Sequence, residues 1–533
     1  MRTIALCTVA TLVVVWTTIS TSSYSNAAVS HEVSVDGGII AGLETSTAIE
    51  WRGIPYADPP LGPLRWRPPT PVQPWSEVRS ATEFAPPCAQ LPLEIGSEDC
   101  LYLNVFAPVG IEPDDGLPVM VHLHGGSNLG FRPYQNADAF VRHGVIVVTL
   151  GYRLGVFGWL AHPSLTAEPG PSGEYGLFDQ LAALEWVQRN IGAFGGDPAN
   201  VTLFGESAGS FDAAALVASP AVEGLFARAA LQTEAYGPFY DPPPLQAVES
   251  FGTDVANRAG CGTEANVLEC MRQLPTETLL EAFGPTESIP PIGGHLLPAS
   301  PRDLLATADN TVPLLVGSNR EEGAFFVPEV FTTGELNRGY STLISNFLFA
   351  ADVGRHVRTL YPIEAYGSNL WATVGMFTDA VYSCPIRALA LTTSGPAWRY
   401  LYSHTYDNDP FLAQLRAAHF LDDPIMWSDA ALLEGFGKDD YEFSHAEMQL
   451  SLAMTSYWTN FAKTGDPNGP GLVNWPRFSA AAPLSLELAE TIAVRDGWHD
   501  QECDAIDEWP LPSKPGWLAG DRVPLAVPLP GPR

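Results

Sequence analysis

Short apolar runs alternate along the chain with stretches whose apolar residues recur every three or four positions. Val119 to His124 and Val145 to Leu150 are apolar runs of strand length, and Val201 to Phe204, Val312 to Val316 and Trp398 to Tyr402 repeat the pattern. Runs this short and this uniformly apolar suit strands buried on both faces. Between them Leu177, Leu181, Leu184 and Ile191 fall at helical spacing and predict an amphipathic helix over Leu177 to Ile191. Ala208 to Ala218, rich in small residues, predicts a second helix stopped by Pro220. Tyr441 to Lys463 predicts a long helix ended by Gly465 and Pro467. Strands and helices alternating in this way predict an α/β chain with a largely parallel sheet covered on both faces. The Pro-rich ground at Pro55 to Pro74 predicts an ordered, turn-rich start, and that at Pro510 to Pro532 a surface tail.

One junction in this pattern carries chemistry. The run Val201 to Phe204 leads into Gly205-Glu206-Ser207-Ala208-Gly209, and the helix beginning at Ala208 follows. A strand-to-helix turn this tight needs small residues two positions before and after the serine. It pushes the Ser207 hydroxyl beyond the carboxyl end of the sheet, where a helix N-terminus favours developing negative charge. A bare G-x-S-x-G also occurs in ordinary βα turns. The strand before it and the helix after it favour a nucleophile. A serine hydroxyl then needs a base, an acid to orient the base, and donors for the oxyanion. Upstream, His124-Gly125-Gly126-Ser127 begins at the end of a predicted strand. It is either a plain Gly-Gly loop or a loop whose N–H groups approach a bound carbonyl.

Composition narrows the setting. The 533 residues are 46% hydrophobic and 16% charged, with a formal net charge of −33. Lys438, Lys463 and Lys514 are the only lysines. A polyanion of this kind argues against nucleic acid and anionic membrane as partners; solubility accounts for the charge more readily than substrate steering does. At the N-terminus Arg2, the mostly apolar Ile4 to Ile19 and the small residues of Ser25-Asn26-Ala27 predict a signal peptide cleaved after Ala27. An uncleaved anchor is the alternative, but Thr8, Thr11, Thr17 and Thr18 interrupt the run. The chain then reads as one catalytic domain over 28–533, with the Pro-rich tail from about 510, in a secreted or periplasmic protein. Cys7 leaves with the signal, and Cys88, Cys100, Cys261, Cys270, Cys384 and Cys503 remain, an even count that suggests three bridges. No Cys-x-x-Cys or His-rich cluster suggests a metal.

The chain resembles the type-B carboxylesterase family, which includes the cholinesterases and the bacterial para-nitrobenzyl esterases. The stretches that carry the resemblance begin with Gly53-Ile-Pro-Tyr-Ala57, Pro59-Pro60 and Glu98-Asp-Cys-Leu-Tyr-Leu-Asn104. They continue with Tyr152-Arg-Leu-Gly155, Asp179-Gln180, Phe194-Gly-Gly-Asp-Pro198 and Gly205 to Gly209, and close with Trp458-Thr-Asn-Phe-Ala-Lys-Thr-Gly-Asp-Pro-Asn468. The resemblance implies an α/β-hydrolase fold with a mostly parallel central sheet, helices on both faces and long insertions forming the pocket. It implies Glu322 as the acid, with Glu321 as the adjacent competitor, and His419 as the base. His356, His404, His445 and His499 are the other histidines downstream of Glu322. It implies oxyanion donors at the N–H groups of Gly126, Ser127 and Ala208, and bridges Cys88–Cys100, Cys261–Cys270 and Cys384–Cys503.

Five features depart from the family pattern. Ser127 and Asn128 stand where a small residue and often an aromatic are usual, which predicts a more polar wall at Asn128. Gln232-Thr233-Glu234 replaces Gln-Ser-Gly, and Phe420 replaces a small residue after the base. Ala89 to Asp99, inside the first cysteine loop, holds no aromatic. The choline cation of cholinesterases is held there by cation–π contact, so a cholinesterase is disfavoured. What remains is hydrolysis of a small-molecule carboxylic ester by an acyl-enzyme route, with no cofactor or metal. Rivals are an amide or lactone hydrolase, a lipase, and a non-catalytic binding protein on the same fold. The sequon Asn200-Val-Thr202 lies inside a family motif and is taken as coincidence.

Overall fold

The computed structural model describes residues 31–91, 96–134, 136–233, 236–237, 241–285, 288–307, 311–330, 354–438 and 440–508. The expected signal peptide, the Pro-rich tail and Glu234 lie outside these residues. In chain order the strands are β1 (His31–Val35), β2 (Gly38–Glu44), β3 (Ala48–Pro55), β4 (Arg79–Ser80), β5 (Tyr102–Pro108), β6 (Leu117–Leu123) and β7 (Ile146–Leu150). Then come β8 (Gly196–Glu206), β9 (Arg228–Gln232), β10 (Leu314–Asn319), β11 (Ala397–Tyr402), β12 (Leu484–Leu488) and β13 (Ala493–Asp496). They form one sheet in the order β1-β2-β3-β5-β7-β6-β8-β9-β10-β11-β12-β13, with β4 beside β2. Every pairing from β7 to β12 is parallel. The antiparallel pairings lie at the two ends of the sheet.

The apolar runs become the middle of the sheet because both of their faces are covered. All residues of β7, β10 and β11 are buried. Period-two alternation sends Val119, Val121 and Leu123 to one face and Met120 to the other. On the first face they meet Leu177, Leu184 and Val187 of the helix Tyr175–Asn190, and Ala213 to Ala218 of the helix Ala208–Ala218. On the other they meet Leu450, Met454, Tyr457, Trp458 and Phe461 of the helix His445–Thr464. That last helix begins four residues later than its apolar pattern suggested. Ser444 caps it, accepting from the Glu447 N–H at 3.2 Å, while the Glu447 carboxylate accepts from the Ser444 N–H at 2.6 Å. It ends at Gly465, which is left-handed at φ +77°.

The strand order positions the site. β7 lies on one side of β6 and β8 on the other, so the chain reverses its direction of travel across the sheet at β6. Loops leaving the carboxyl ends of β6 and β8 diverge there and leave a crevice, the usual ligand position in open α/β sheets. The cysteines pair as Cys88–Cys100, Cys261–Cys270 and Cys384–Cys503. The sequon is spent on the fold: Thr202 is buried in β8 and Asn200 accepts a hydrogen bond from Arg228. No helix among the described residues is long and apolar enough to cross a membrane.

Candidate active site

Glu206 ends β8 and the next helix starts at Ala208, so Ser207 makes the whole turn alone, at φ +54° and ψ −127°. Few L-residues adopt such a backbone, and the surroundings must impose it. They do so by contact. A Cβ at Gly205 would stand 2.5 Å from the Gly209 carbonyl oxygen, and one at Gly209 would stand 2.0 Å from that of Leu123. Strand, turn and helix touch at both glycines, which is why the motif needs them. Ser207 remains tied to the sheet through its N–H, which donates to the Gln232 carbonyl at 3.1 Å.

One distant segment meets this hydroxyl and a second meets the first. His419 lies in the loop after β11, with its Nε2 2.8 Å from Ser207 Oγ and its Nδ1 2.8 Å from Glu322 Oε2. A carboxylate at Nδ1 keeps the proton on that nitrogen and leaves Nε2 free to accept one. Glu322 follows β10 closely, and its Oε1 accepts from the Asn319 N–H at 2.5 Å. Burial raises the Glu322 carboxyl above its ordinary pKa, and its hydrogen bond with His419 opposes that rise. Asn319 also fixes the loop that carries His419: its amide donates to the Ala418 carbonyl at 2.8 Å and to Asp422 at 2.9 Å.

The competing candidates lie elsewhere. Glu321 accepts from the Ala417 N–H at 3.3 Å and pairs with Arg416 at 3.8 Å. His404 bonds to Glu447 at 3.1 Å and His499 to Asp379 at 2.6 Å. His445 opens the helix His445–Thr464. The side chain of His356 is outside the described residues.

The loop after β6 folds back over the elbow. Gly126, Ser127 and Asn128 are all left-handed, at φ +95°, +57° and +56°. Gly126 is required, since a Cβ there would stand 1.9 Å from the Gly130 carbonyl oxygen. Among the described residues no hydrogen-bond acceptor engages the N–H groups of Gly126, Ser127 or Ala208. Free N–H groups on the loop and at the first turn of the helix after Ser207 are what a developing oxyanion requires.

Sequence reasoning passed over a cluster of buried carboxyls. Glu206 Oε1 has no hydrogen-bond partner among the described residues, and it sits 3.4 Å from His419 Nε2. Burial, then the negative fields of Asp423, Asp422 and Glu322, push the Glu206 carboxyl well above the ordinary range. Asp423 is raised by burial and by Asp422. The available signals were a carboxylate at the variable position of G-x-S-x-G and two adjacent aspartates after the base. Asp212 was missed as well. A charged residue inside a buried Ala-rich helix demands partners, and that was its signal.

Of the departures from the family pattern, one needs correction. Asn128 does not make a polar wall. It is 1% exposed, because its amide is drawn into hydrogen bonds beneath the loop with Tyr152, Asp212 and Ser288. Thr233 is buried and left-handed at φ +63°, with its hydroxyl unpartnered among the described residues. Phe420 is left-handed at φ +73°, its ring 5.9 Å from that of Phe131 and 6.2 Å from that of Phe436.

Comparison with known proteins agrees with this architecture. The model of the carboxylesterase family matches residues 29–506. The para-nitrobenzyl esterase of Bacillus subtilis is 34% identical over 495 residues, covering 87% of this chain and 96% of its own. The liver carboxylesterase 1 of Mus musculus is 34% identical, covering 80% of this chain and 83% of its own. The cocaine esterase of Homo sapiens is 34% identical, covering 83% of each chain. A solved structure of a PNB esterase superposes with a TM-score of 0.76 at 31% identity, over 89% of this chain and 99% of that one.

Proposed function

Since this chain belongs to the carboxylesterase family and is a carboxylic ester hydrolase, we propose that Ser207, His419 and Glu322 perform the hydrolysis through an acyl-enzyme. One observation carries this reading: the unbroken chain from Ser207 Oγ through both nitrogens of His419 to Glu322, with 2.8 Å at each link. His419 Nε2 takes the Ser207 proton as Oγ bonds to the ester carbonyl carbon. The carbonyl π electrons move onto oxygen, where the N–H groups of Gly126, Ser127 and Ala208 receive the charge. As the tetrahedral adduct collapses, His419 returns the proton to the departing alkoxide and an alcohol leaves. Water, deprotonated by His419, then attacks the acyl carbon, and Ser207 leaves with the proton. Glu322 stabilises the imidazolium at both stages.

We extend the proposal to location: a signal peptide ending at Ala27, then one catalytic unit exported to an oxidising compartment. The three cysteine pairs support this reading, since such bridges persist outside the cytosol. The substrate class is a small-molecule ester.

The test is hydrolysis of short-chain para-nitrophenyl esters by the native chain and by Ser207→Ala. Loss of on the order of 10⁶-fold in kcat is expected, as for other serine triads. A variant as active as the native chain would remove Ser207 from the mechanism. A native chain that binds esters without turning them over would favour the binding-protein reading.

A further inference from the structure

Asp212 stands on the helix that begins at Ala208, four residues beyond it and therefore on the same face. It is fully buried, and its carboxylate has two hydrogen bonds among the described residues. Oδ1 accepts from Asn128 Nδ2 at 3.2 Å, and Oδ2 accepts from Gln180 Nε2 at 2.6 Å. Asn128 directly follows Ser127 on the other wall of the crevice. Its remaining amide hydrogen donates to the Ser288 carbonyl at 3.0 Å. Its Oδ1 lies 3.0 Å from the Tyr152 hydroxyl, whose one proton is shared with the His124 carbonyl at 2.6 Å. The Asn128 carbonyl accepts from the Gly155 N–H at 2.7 Å, and that of Ser127 from the Ser288 N–H at 3.2 Å.

These bonds bear on a strained segment. Ser127 and Asn128 are both non-glycine residues in the left-handed region, a conformation that persists only where the surroundings over-determine it. Asparagine tolerates that backbone better than most side chains. Its amide also supplies two donors and an acceptor, and all are engaged here. A carboxylate buried in a helix of alanines is costly unless hydrogen bonds compensate it, and here the Asn128 and Gln180 amides supply them. The partner it holds belongs to the loop that carries two of the three donor N–H groups, while its own helix carries the third.

We propose that Asn128 and Asp212 are a positioning pair that clamps the loop bearing the Gly126 and Ser127 N–H groups against the helix bearing that of Ala208, setting the spacing of the oxyanion donors. This rests on the assignment of those three groups as oxyanion donors. The pair touches neither substrate nor reacting atoms. Its loss therefore weakens transition-state binding and leaves ground-state binding nearly intact.

The experiment compares Asn128→Gly, Asp212→Ala, Asp212→Asn and the double variant Asn128→Gly/Asp212→Ala with the native chain. Functional sites are counted with a fluorophosphonate, so misfolded protein is excluded. Asn128→Gly keeps the left-handed backbone at low cost, which separates loss of the amide from failure to fold. Each protein is assayed for ester hydrolysis and for affinity toward an aryl trifluoromethyl ketone. Ser207 adds to that ketone's carbon, placing an alkoxide among the three donors.

Asn128→Gly and Asp212→Ala are expected to lose on the order of 10–100-fold in kcat per functional site, with KM within about threefold and ketone affinity falling in parallel. The double variant should be no worse than Asp212→Ala. Asp212→Asn should stay within about fivefold, because the Gln180 amide can turn its unpartnered Oε1 toward the new donor. A kcat and a ketone affinity within about twofold of native in Asn128→Gly, or a loss confined to KM, would overturn the proposal. Ser207→Ala is the control. If it still binds the ketone as tightly as the native chain, the nucleophile assignment falls first and this inference falls with it.

Discussion

Glu206 Oε1 stands 3.4 Å from His419 Nε2, the same nitrogen that meets Ser207 Oγ at 2.8 Å. A second carboxyl therefore faces His419 from the Ser207 side, opposite Glu322. Its charge state decides its effect. Burial and the fields of Asp423, Asp422 and Glu322 push the Glu206 carboxyl well above the ordinary range, which favours its protonated form. A neutral carboxyl polarises the imidazolium only weakly.

Glu206→Gln copies that protonated form. At pH 7 its kcat/KM should lie within about tenfold of native, a change of ~1.4 kcal/mol or less in barrier. The difference should widen at alkaline pH, where only the native side chain can ionise. Parallel pH–rate profiles measure this. A loss of about 10³-fold at pH 7 would mean that Glu206 is ionised and bears directly on the imidazolium.

Glu322→Gln places an amide beside His419 Nδ1, and the amide can force the proton onto Nε2, the nitrogen that must accept one from Ser207. The loss in kcat should be on the order of 10⁴-fold, the scale seen when a triad carboxylate becomes an amide. Steady-state kinetics with titrated sites checks it. A drop smaller than about tenfold would transfer the orienting role to another carboxyl of the cluster.

Asp212 gives a stability prediction whose sign follows from its environment. Burial pushes its carboxyl up to about 7 from an ordinary 3.8, and the bonds from Gln180 and Asn128 hold it below what burial alone would produce. The folded state therefore retains a proton that the unfolded chain releases. Stability from this group is fully present below about pH 4 and is lost as pH rises through about 7. Over that window the loss is at most about 4 kcal/mol. Asp212→Asn has no such titration. Its Tm relative to native should rise steadily between about pH 4 and pH 8, as thermal melts at several pH values would record. A difference independent of pH would show that Asp212 is ionised throughout.

The resemblance and the residue pattern did not make all of this visible to the same degree. The central strands were legible because a continuous apolar run has nowhere to go but between two layers, as β10 and β11 do. The elbow was legible because its geometry is local: Gly205 and Gly209 are needed by contacts within one turn and one neighbouring strand. The start of the helix His445–Thr464 was not, because the apolar pattern continues through Tyr441 while the Ser444–Glu447 cap stops the helix short of it. Asn128 was misread for a related reason. A polar residue beside a pocket suggests a polar wall, and only the neighbours beneath the loop turn it inward.

By itself, then, the sequence determined what depends on residues close along the chain: strand and helix periods and the tight turn at Ser207. Covalent geometry and short-range sterics act there, and at the turn the neighbouring strand adds its contact at Gly209. Which histidine meets Ser207 across 212 positions and which glutamate meets that histidine across 97 were implied only by the family resemblance, and that Asn128 meets Asp212 across 84 only the tertiary structure decided. Spacing along the chain carries no record of such meetings. They arise from how a sheet buried on both faces stacks its strands, and from buried polar groups that must find one another because water is excluded.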